Sequence, residues 1–157
     1  SLITRQRQNA DIVRARGLEI EADIRPHPRW TLGALMVLTH SHFLHKATQA
    51  VLTGNRVPQV PIYQLGTTIT YVDPRSFTGS VQIRFIGDQY DDDLNAFKLN
   101  RFSVVDVSGS QALSRGVHLF AGVENLFNKD YDVGRTRIRM IGWPRTFRVG
   151  LRIFFPQ

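Results

Sequence analysis

The chain contains no cysteine, which excludes disulfides and thiolate metal sites. It has no run of about 18 apolar residues, so no transmembrane helix exists, although strands that cross a membrane leave only a weak, alternating hydropathy signal. Gly-rich phosphate loops, a nucleophile elbow and a paired-carboxylate motif are also missing, so nothing points to an enzyme or to a bound cofactor. There is no initiator methionine and no signal peptide. Ser1-Leu2-Ile3-Thr4-Arg5 begins like the middle of a strand, and the expectation is a fragment whose targeting information lies upstream. Acidic residues are the minority, 13 against 20 Lys and Arg, for a formal charge of +7. That balance admits nucleic acid, an anionic membrane surface or an acidic ligand as partner.

What is present is alternation. In RTFRVGLRIFF (145–155), Phe147, Val149, Leu151, Ile153 and Phe155 fall on one face of an extended strand, and Arg148, Gly150 and Arg152 on the other. Leu18, Ile20, Ala22 and Ile24 oppose Glu19, Glu21, Asp23 and Arg25. Tyr63, Leu65, Ile69 and Tyr71 oppose Gln64, Gly66, Thr68 and Thr70. Val81, Ile83 and Phe85 oppose Gln82 and Arg84, Val105 and Val107 oppose Asp106 and Ser108, and Val117, Leu119, Ala121 and Val123 oppose His118, Gly122 and Glu124. Residues 29–44 are apolar on both faces, so their parity is open and a helix is conceivable there. Gly17 and Pro26 bracket 17–25 too closely for a stable helix.

These patterns give about eight strands, near 1–9, 17–25, 29–44, 62–72, 78–88, 102–112, 117–125 and 146–155, several with the roughly 9–11 residues of a tilted membrane strand. Short connections at 26–28, 73–77 and 113–116 alternate with long ones at 45–61, 89–101 and 126–145, so every other turn sits at the same end. Outer-membrane barrels keep this asymmetry, and a soluble sandwich has no reason to.

VHLFAGVENLFNKDYDVG (117–134) followed by IGWPRTFRVGLRIFF (141–155) resembles the C-terminal end of the TonB-dependent outer-membrane receptors. The matching block is Val123, Asn125, Leu126, Phe127, Asn128, Lys129 and Tyr131, and a Gly-x-Pro-Arg segment appears as Gly142, Pro144 and Arg145. GNRVPQVPIYQL (54–65), RFIGDQYDDDLNAFKL (84–99) and FSVVDV (102–107) are similar to the family in the right order. The last strand also resembles the signal read by the barrel-assembly machinery, with Arg148, Gly150, Ile153 and Phe155 in its places and Pro156-Gln157 as a departure. The resemblance implies an all-β, antiparallel transmembrane β-barrel, of which residues 1–157 form about the last eight strands of a 22-stranded wall. It implies that the plug domain and the coupling peptide for the TonB complex lie upstream, and that the loops at 45–61, 89–101 and 126–145 face outside. It further implies a place in the outer membrane of a Gram-negative cell. The function implied is energy-coupled uptake of a small-molecule ligand such as a ferric siderophore, with outer-membrane lipid as surroundings.

Arg135, Arg137 and Arg139 alternate along 131–141 and can attract an anionic ligand, or they form a polar flank above the membrane. His40 and His42 share a strand face and can reach one ion, but no carboxylate lies close in sequence. Asp91-Asp92-Asp93 lacks the spaced ligands and turn glycine of a calcium loop. Glu19, Glu21, Asp23, Arg84, Arg148 and Arg152 would face the lumen and pair there. Trp30, Tyr63, Tyr71, Phe102 and Phe155 stand near strand ends, where girdle aromatics belong. Two rivals stay open: a complete small eight-stranded outer-membrane barrel with a structural or adhesion role, and a soluble basic β-domain that binds nucleic acid. The second needs a basic patch with stacking aromatics, whereas these charges are spread over alternating faces.

Overall fold

The computed structural model describes residues 12–45, 50–73, 75–114 and 116–154. Among these residues eleven strands follow in chain order: β1 (Ile12–His27), β2 (Trp30–His45), β3 (Tyr63–Val72), β4 (Phe77–Ile86), β5 (Gln89–Tyr90), β6 (Lys98–Leu99), β7 (Phe102–Ser114), β8 (Val117–Glu124), β9 (Asp132–Gly134), β10 (Met140–Ile141) and β11 (Thr146–Ile153). Seven of them form one sheet in the order β1-β2-β3-β4-β7-β8-β11, and each neighbouring pair is antiparallel. Among the described residues the sheet is open, with β1 and β11 as its edges. The pairs β5–β6 and β9–β10 are small ribbons inside the long loops. The expected strand at 1–9 lies outside the described residues.

Register carries one face across the whole sheet. Ile20 pairs with Met36, Met36 with Leu65, Leu65 with Phe85, and on β8–β11 Leu119 pairs with Leu151. Directly opposed residues share a face, so the apolar positions of every strand join into one belt. Backbone groups in that belt are satisfied between strands, as a lipid-facing wall requires. β2 is a strand, and its parity is set by its neighbours. Leu35 and Val37 face inward opposite Glu21 and Glu19, which is why both faces of 29–44 read as apolar. β1 begins at Ile12, well before the expected residue 17. Its outward positions there are Arg14 and Arg16, which interrupt the apolar alternation that marks a strand in sequence.

All short turns lie at one end and all long loops at the other, because strand direction alternates across the sheet. At the turn end Trp30, Tyr71 and Phe77 form a row on the outer face, with ring centroids 5.0 and 6.5 Å apart. Arg29 donates to the Tyr71 hydroxyl at 3.3 Å and pairs with Asp73 at 3.4 Å. Phe102 does not belong to such a girdle. It pairs with Ile86 on the inner face and stacks on Tyr131, with centroids 4.1 Å apart. Phe155 lies outside the described residues. On the inner face Arg84 pairs with Asp106 and Arg148 with Glu124, each at 3.0 Å. Both arginines are about half exposed or more, so each pair contributes on the order of 1 kcal/mol or less. Among the described residues Glu19, Glu21, Asp23 and Arg152 make no ion pair.

Candidate functional site

Three long loops gather at one end of the wall and tie to one another through backbone groups. Asp91 is the centre. Its Oδ2 accepts the N–H groups of Arg135 (2.7 Å) and Thr136 (2.5 Å), and its Oδ1 accepts the Gln59 side-chain amide (2.9 Å). One carboxylate thus joins segments more than 40 residues apart in the chain. Burial would raise the Asp91 carboxyl, but hydrogen bonds from Thr136, Gln59 and the Arg135 N–H outweigh it and hold the group well below the usual carboxylate range. Nearby, Asn95 sits at φ 57°, accepts the Arg56 N–H at 2.8 Å and donates to the Arg56 carbonyl at 2.9 Å. Asn55 donates to the Asp93 carbonyl at 2.9 Å. Asp92 accepts the N–H groups of Ala96 and Phe97 and closes its own turn. The Lys98 ammonium at 2.9 Å and the Arg101 N–H at 2.7 Å hold Asp88 below its ordinary value. Asp91 and Asp92 are therefore loop architecture, their carboxylate oxygens turned to N–H groups, while Asp93 is exposed and takes part through its backbone carbonyl.

Arg135, Arg137 and Arg139 stand on and around the β9–β10 ribbon. Arg139 pairs with Asp132 at 2.6 Å, and Arg135 approaches the same carboxylate at 3.9 Å and the Lys98 carbonyl at 3.5 Å. Arg137 is exposed at φ 71° and makes no ion pair among the described residues. The three do not converge on one point, and two share an acid. Among the described residues no group of three His, Asp or Glu side chains is arranged to hold a metal ion. His40 and His42 do share a face, with ring centroids 4.1 Å apart.

The block Val123–Tyr131 has a mechanical job. Asn125 is 2% exposed and sits at φ 50°, a backbone region that asparagine tolerates better than most residues. Its N–H donates to Asp106 Oδ1 (2.8 Å), its amide donates to the carbonyls of Lys129 (2.9 Å) and Trp143 (3.0 Å), and its Oδ1 accepts the Lys129 N–H (2.8 Å). The Leu126 N–H donates to the Val105 carbonyl at 2.8 Å. Asn128, also at φ 50°, accepts the Arg145 N–H at 2.9 Å. Tyr131 lies against Gly142, where a Cβ would overlap its ring, and the Gly142 N–H donates to the Tyr131 carbonyl at 2.8 Å. The two stretches that carry the family resemblance are thus halves of one knot at the base of the last loop. Val123 faces the belt, opposite Phe147. Phe127 is 74% exposed and takes no part in the knot.

In the last strand Arg148 faces inward to Glu124, and Gly150 leaves room for the Phe120 ring, which covers it. Ile153 faces out, and Phe155 lies outside the described residues. The inner face between β3 and β11 forms a recess of about 810 Å³ lined by hydroxyls such as Thr68, Ser80 and Ser108, with Arg148 and Arg152. Sequence reasoning missed Asp91 as a cross-loop acceptor, since no spacing signals partners in distant loops.

A family model described as TonB dependent receptor-like, beta-barrel matches residues 2–126. The pesticin receptor of Yersinia enterocolitica is 28% identical over 156 residues, covering 94% of this chain and 23% of its own length. The ferrichrome outer membrane transporter/phage receptor of Escherichia coli K12 is 31% identical over 127 residues, 76% of this chain and 17% of its own. The crystal structure of the ferric yersiniabactin uptake receptor FyuA from Yersinia pestis matches with a TM-score of 0.81 at 25% identity, over 91% of this chain and 24% of that one. The chain spans about a quarter of the length of these Yersinia relatives. Its open antiparallel wall, with an apolar belt outside and a polar face inside, is what such a match requires. The chain belongs to the TonB-dependent receptor-like β-barrel family, whose place is the outer membrane.

Proposed function

We propose that residues 1–157 are the C-terminal part of the barrel of an outer-membrane receptor that takes up a small-molecule ligand, such as a ferric siderophore. The plug and the peptide that engages the TonB complex would be supplied by chain outside this span. The observation that carries the reading is the platform of three long loops, fixed through Asp91, above a hydroxyl-lined inner face. A platform of this kind can hold a ligand at one end of the wall, and a hydrated inner face suits passage rather than covalent chemistry. The ferrichrome and ferric yersiniabactin relatives support an iron chelate as ligand class. Arg135, Arg137 and Arg139 are the proposed anion contacts, with Arg137 foremost because Asp132 does not engage it. The strand from Arg148 through Gly150, Ile153 and Phe155 is the proposed signal for the barrel-assembly machinery. In this reading the loop end faces outside.

The test is uptake. The complete reading frame is expressed in a strain stripped of its own iron receptors and given a panel of radio-iron chelates, with and without the TonB complex. Uptake of at least one chelate that vanishes without the complex is the expected result. A protein that inserts, migrates heat-modifiably and transports none of them would instead favour a barrel with a structural or adhesion role.

A further inference from the structure

We propose that the outer face of β1 and β2, just beyond the apolar belt at the loop end, is a binding site for the phosphorylated headgroup of an outer-leaflet glycolipid. The inference rests on the barrel's place and orientation in the outer membrane and not on which ligand the receptor imports.

On β1 and β2 the register from Val13 to Ile24 is unbroken: Leu18 faces Leu38, Arg16 faces His40, and Arg14 faces His42. Side chains alternate strictly along such a pair, so the two arginines and two imidazoles continue the column of Ile24, Ala22, Ile20 and Leu18. They point outward, on the lipid side of the wall. The outward column of β2 runs apolar from Trp30 to Leu38, eight steps of about 3.3 Å, or roughly 20 Å across the membrane at a tilt of about 40°. With side chains at both ends, that fills most of an apolar band about 25 Å tall. β1 and β2 are each 16 residues long, so their loop ends rise well clear of it. The chemistry changes at the step after Leu38. Outward basic groups near mid-belt would cost about 2–4 kcal/mol each, and almost nothing at its rim. The cluster begins where that cost disappears.

The local shape suits a headgroup. Arg14, Arg16, His40 and His42 wall a recess of about 340 Å³, whose remaining sides are Phe43, Leu44, Thr53 and Gly54. Segment 54–57 is held over it: Gly54 N–H donates to the Phe43 carbonyl at 2.8 Å and Phe43 N–H to the Asn55 carbonyl at 2.9 Å. Arg56 bridges opposite His42, but its guanidinium is spent on the carbonyls of Val60 and Asp88. Among the described residues no carboxylate pairs with Arg14 or Arg16. Guanidinium groups grip phosphate through two parallel N–H donors, and imidazoles add single donors. Leu38, one step below His40 on the same face, continues the surface toward the acyl chains. The turn end offers the contrast, since its outward face is the aromatic row of Trp30, Tyr71 and Phe77.

The complete receptor, delipidated in a neutral detergent, is titrated with bisphosphorylated lipid A, with the same lipid after enzymatic removal of its phosphates, and with inorganic phosphate alone. Preference for the phosphorylated lipid is expected, and Arg14→Gln/Arg16→Gln should bind it about 30-fold more weakly, at about 5-fold per arginine. Arg75→Gln, in a turn at the opposite end, should bind like the parent. Equal affinity for the dephosphorylated lipid, or equal affinity of parent and double variant, overturns the proposal. Saturation by inorganic phosphate at the lipid's own concentration also overturns it, because the site would then serve a free anion. Heat-modifiable migration checks folding. If the double variant fails that check, the single Arg16→Gln change should still show its 5-fold loss, and the parent's lipid preference needs no variant. Chelate uptake is read separately, so intact uptake with no lipid preference sinks this proposal alone.

Discussion

Replacing Asp91 by alanine removes the acceptor for three donors from two other loops: the N–H groups of Arg135 and Thr136 and the side-chain amide of Gln59. Hydrogen bonds to a charged group contribute about 1.5–3 kcal/mol each when well buried. Asp91 is partly exposed, and water can replace part of each bond, so a net loss of about 2 kcal/mol for the loop junction is the reasoned figure. The wall does not depend on this junction. The effect should therefore be local opening, about 30-fold faster hydrogen exchange at the amides of Arg135 and Thr136 with the wall strands unchanged. Asp91→Asn keeps the shape and one good acceptor and should fall between parent and alanine. The pH dependence has a definite sign. A carboxylate with a depressed folded pKa contributes stability that is full above its unfolded value of about 3.9 and is lost as pH falls below that toward the folded value. In the parent, the excess protection at Arg135 and Thr136, corrected for intrinsic exchange, should decline as pH drops below about 4, and Asp91→Ala should show no such decline. Unchanged exchange in Asp91→Ala at neutral pH would refute the idea that this carboxylate ties the loops.

Gly142→Ala would drive a methyl group into the Tyr131 ring and displace it from Phe102, at about 2–3 kcal/mol. Lower recovery of the heat-modifiable form is expected, and Gly142→Ala/Tyr131→Ala should recover part of it, which an effect on backbone freedom alone would not allow. Val149→Arg puts a charge on the lipid face near mid-belt and should cost about 2–4 kcal/mol in reversible unfolding into detergent or lipid. The same substitution at inward-facing Gly122 should cost less if the assigned parity holds.

The wall was legible because one physical demand, apolar outside and polar inside, is written at every second residue. Alternation alone puts Leu65, Val81, Leu119 and Leu151 on the apolar face, and the strand pairing agrees. Two failures have the same origin. At 29–44 the inward Leu35 and Val37 hid the period, and at 12–16 the outward Arg14 and Arg16 broke it. In both places the residues answer to something other than the belt, an inner wall in one case and the region above the membrane in the other. Phe102 was misplaced for a different reason. Position near a strand end predicts a girdle, but its partner Tyr131 sits 29 residues along the chain, in a loop whose path no local pattern reveals. Asp91 was invisible as a tie for the same reason, since its value depends on N–H groups that any residue type could provide.

That contrast bears on what the family block can say about function. β8 and β11 are neighbours in the wall, yet a loop of about 20 residues joins them where a two-residue turn joins β1 to β2, and the added closure entropy is about 2 kcal/mol. Three hydrogen bonds cross the base of that loop, from the Asn125 amide to the Trp143 carbonyl, from the Arg145 N–H to the Asn128 side chain and from the Gly142 N–H to the Tyr131 carbonyl, while two more between Asn125 and Lys129 fix its first turn. At about 1 kcal/mol each, these bonds are enough to offset the closure term. The loop is therefore fixed at its base whatever its tip contains, and Arg148 and the rest of β11 start from a defined register at Thr146 opposite Glu124. A motif that fixes the base leaves the β9–β10 ribbon and its arginines free to differ between relatives. The residues that announce the family are for that reason poor guides to the ligand, and under the proposed function ligand discrimination is to be tested at Arg135, Arg137 and Arg139, where no motif points.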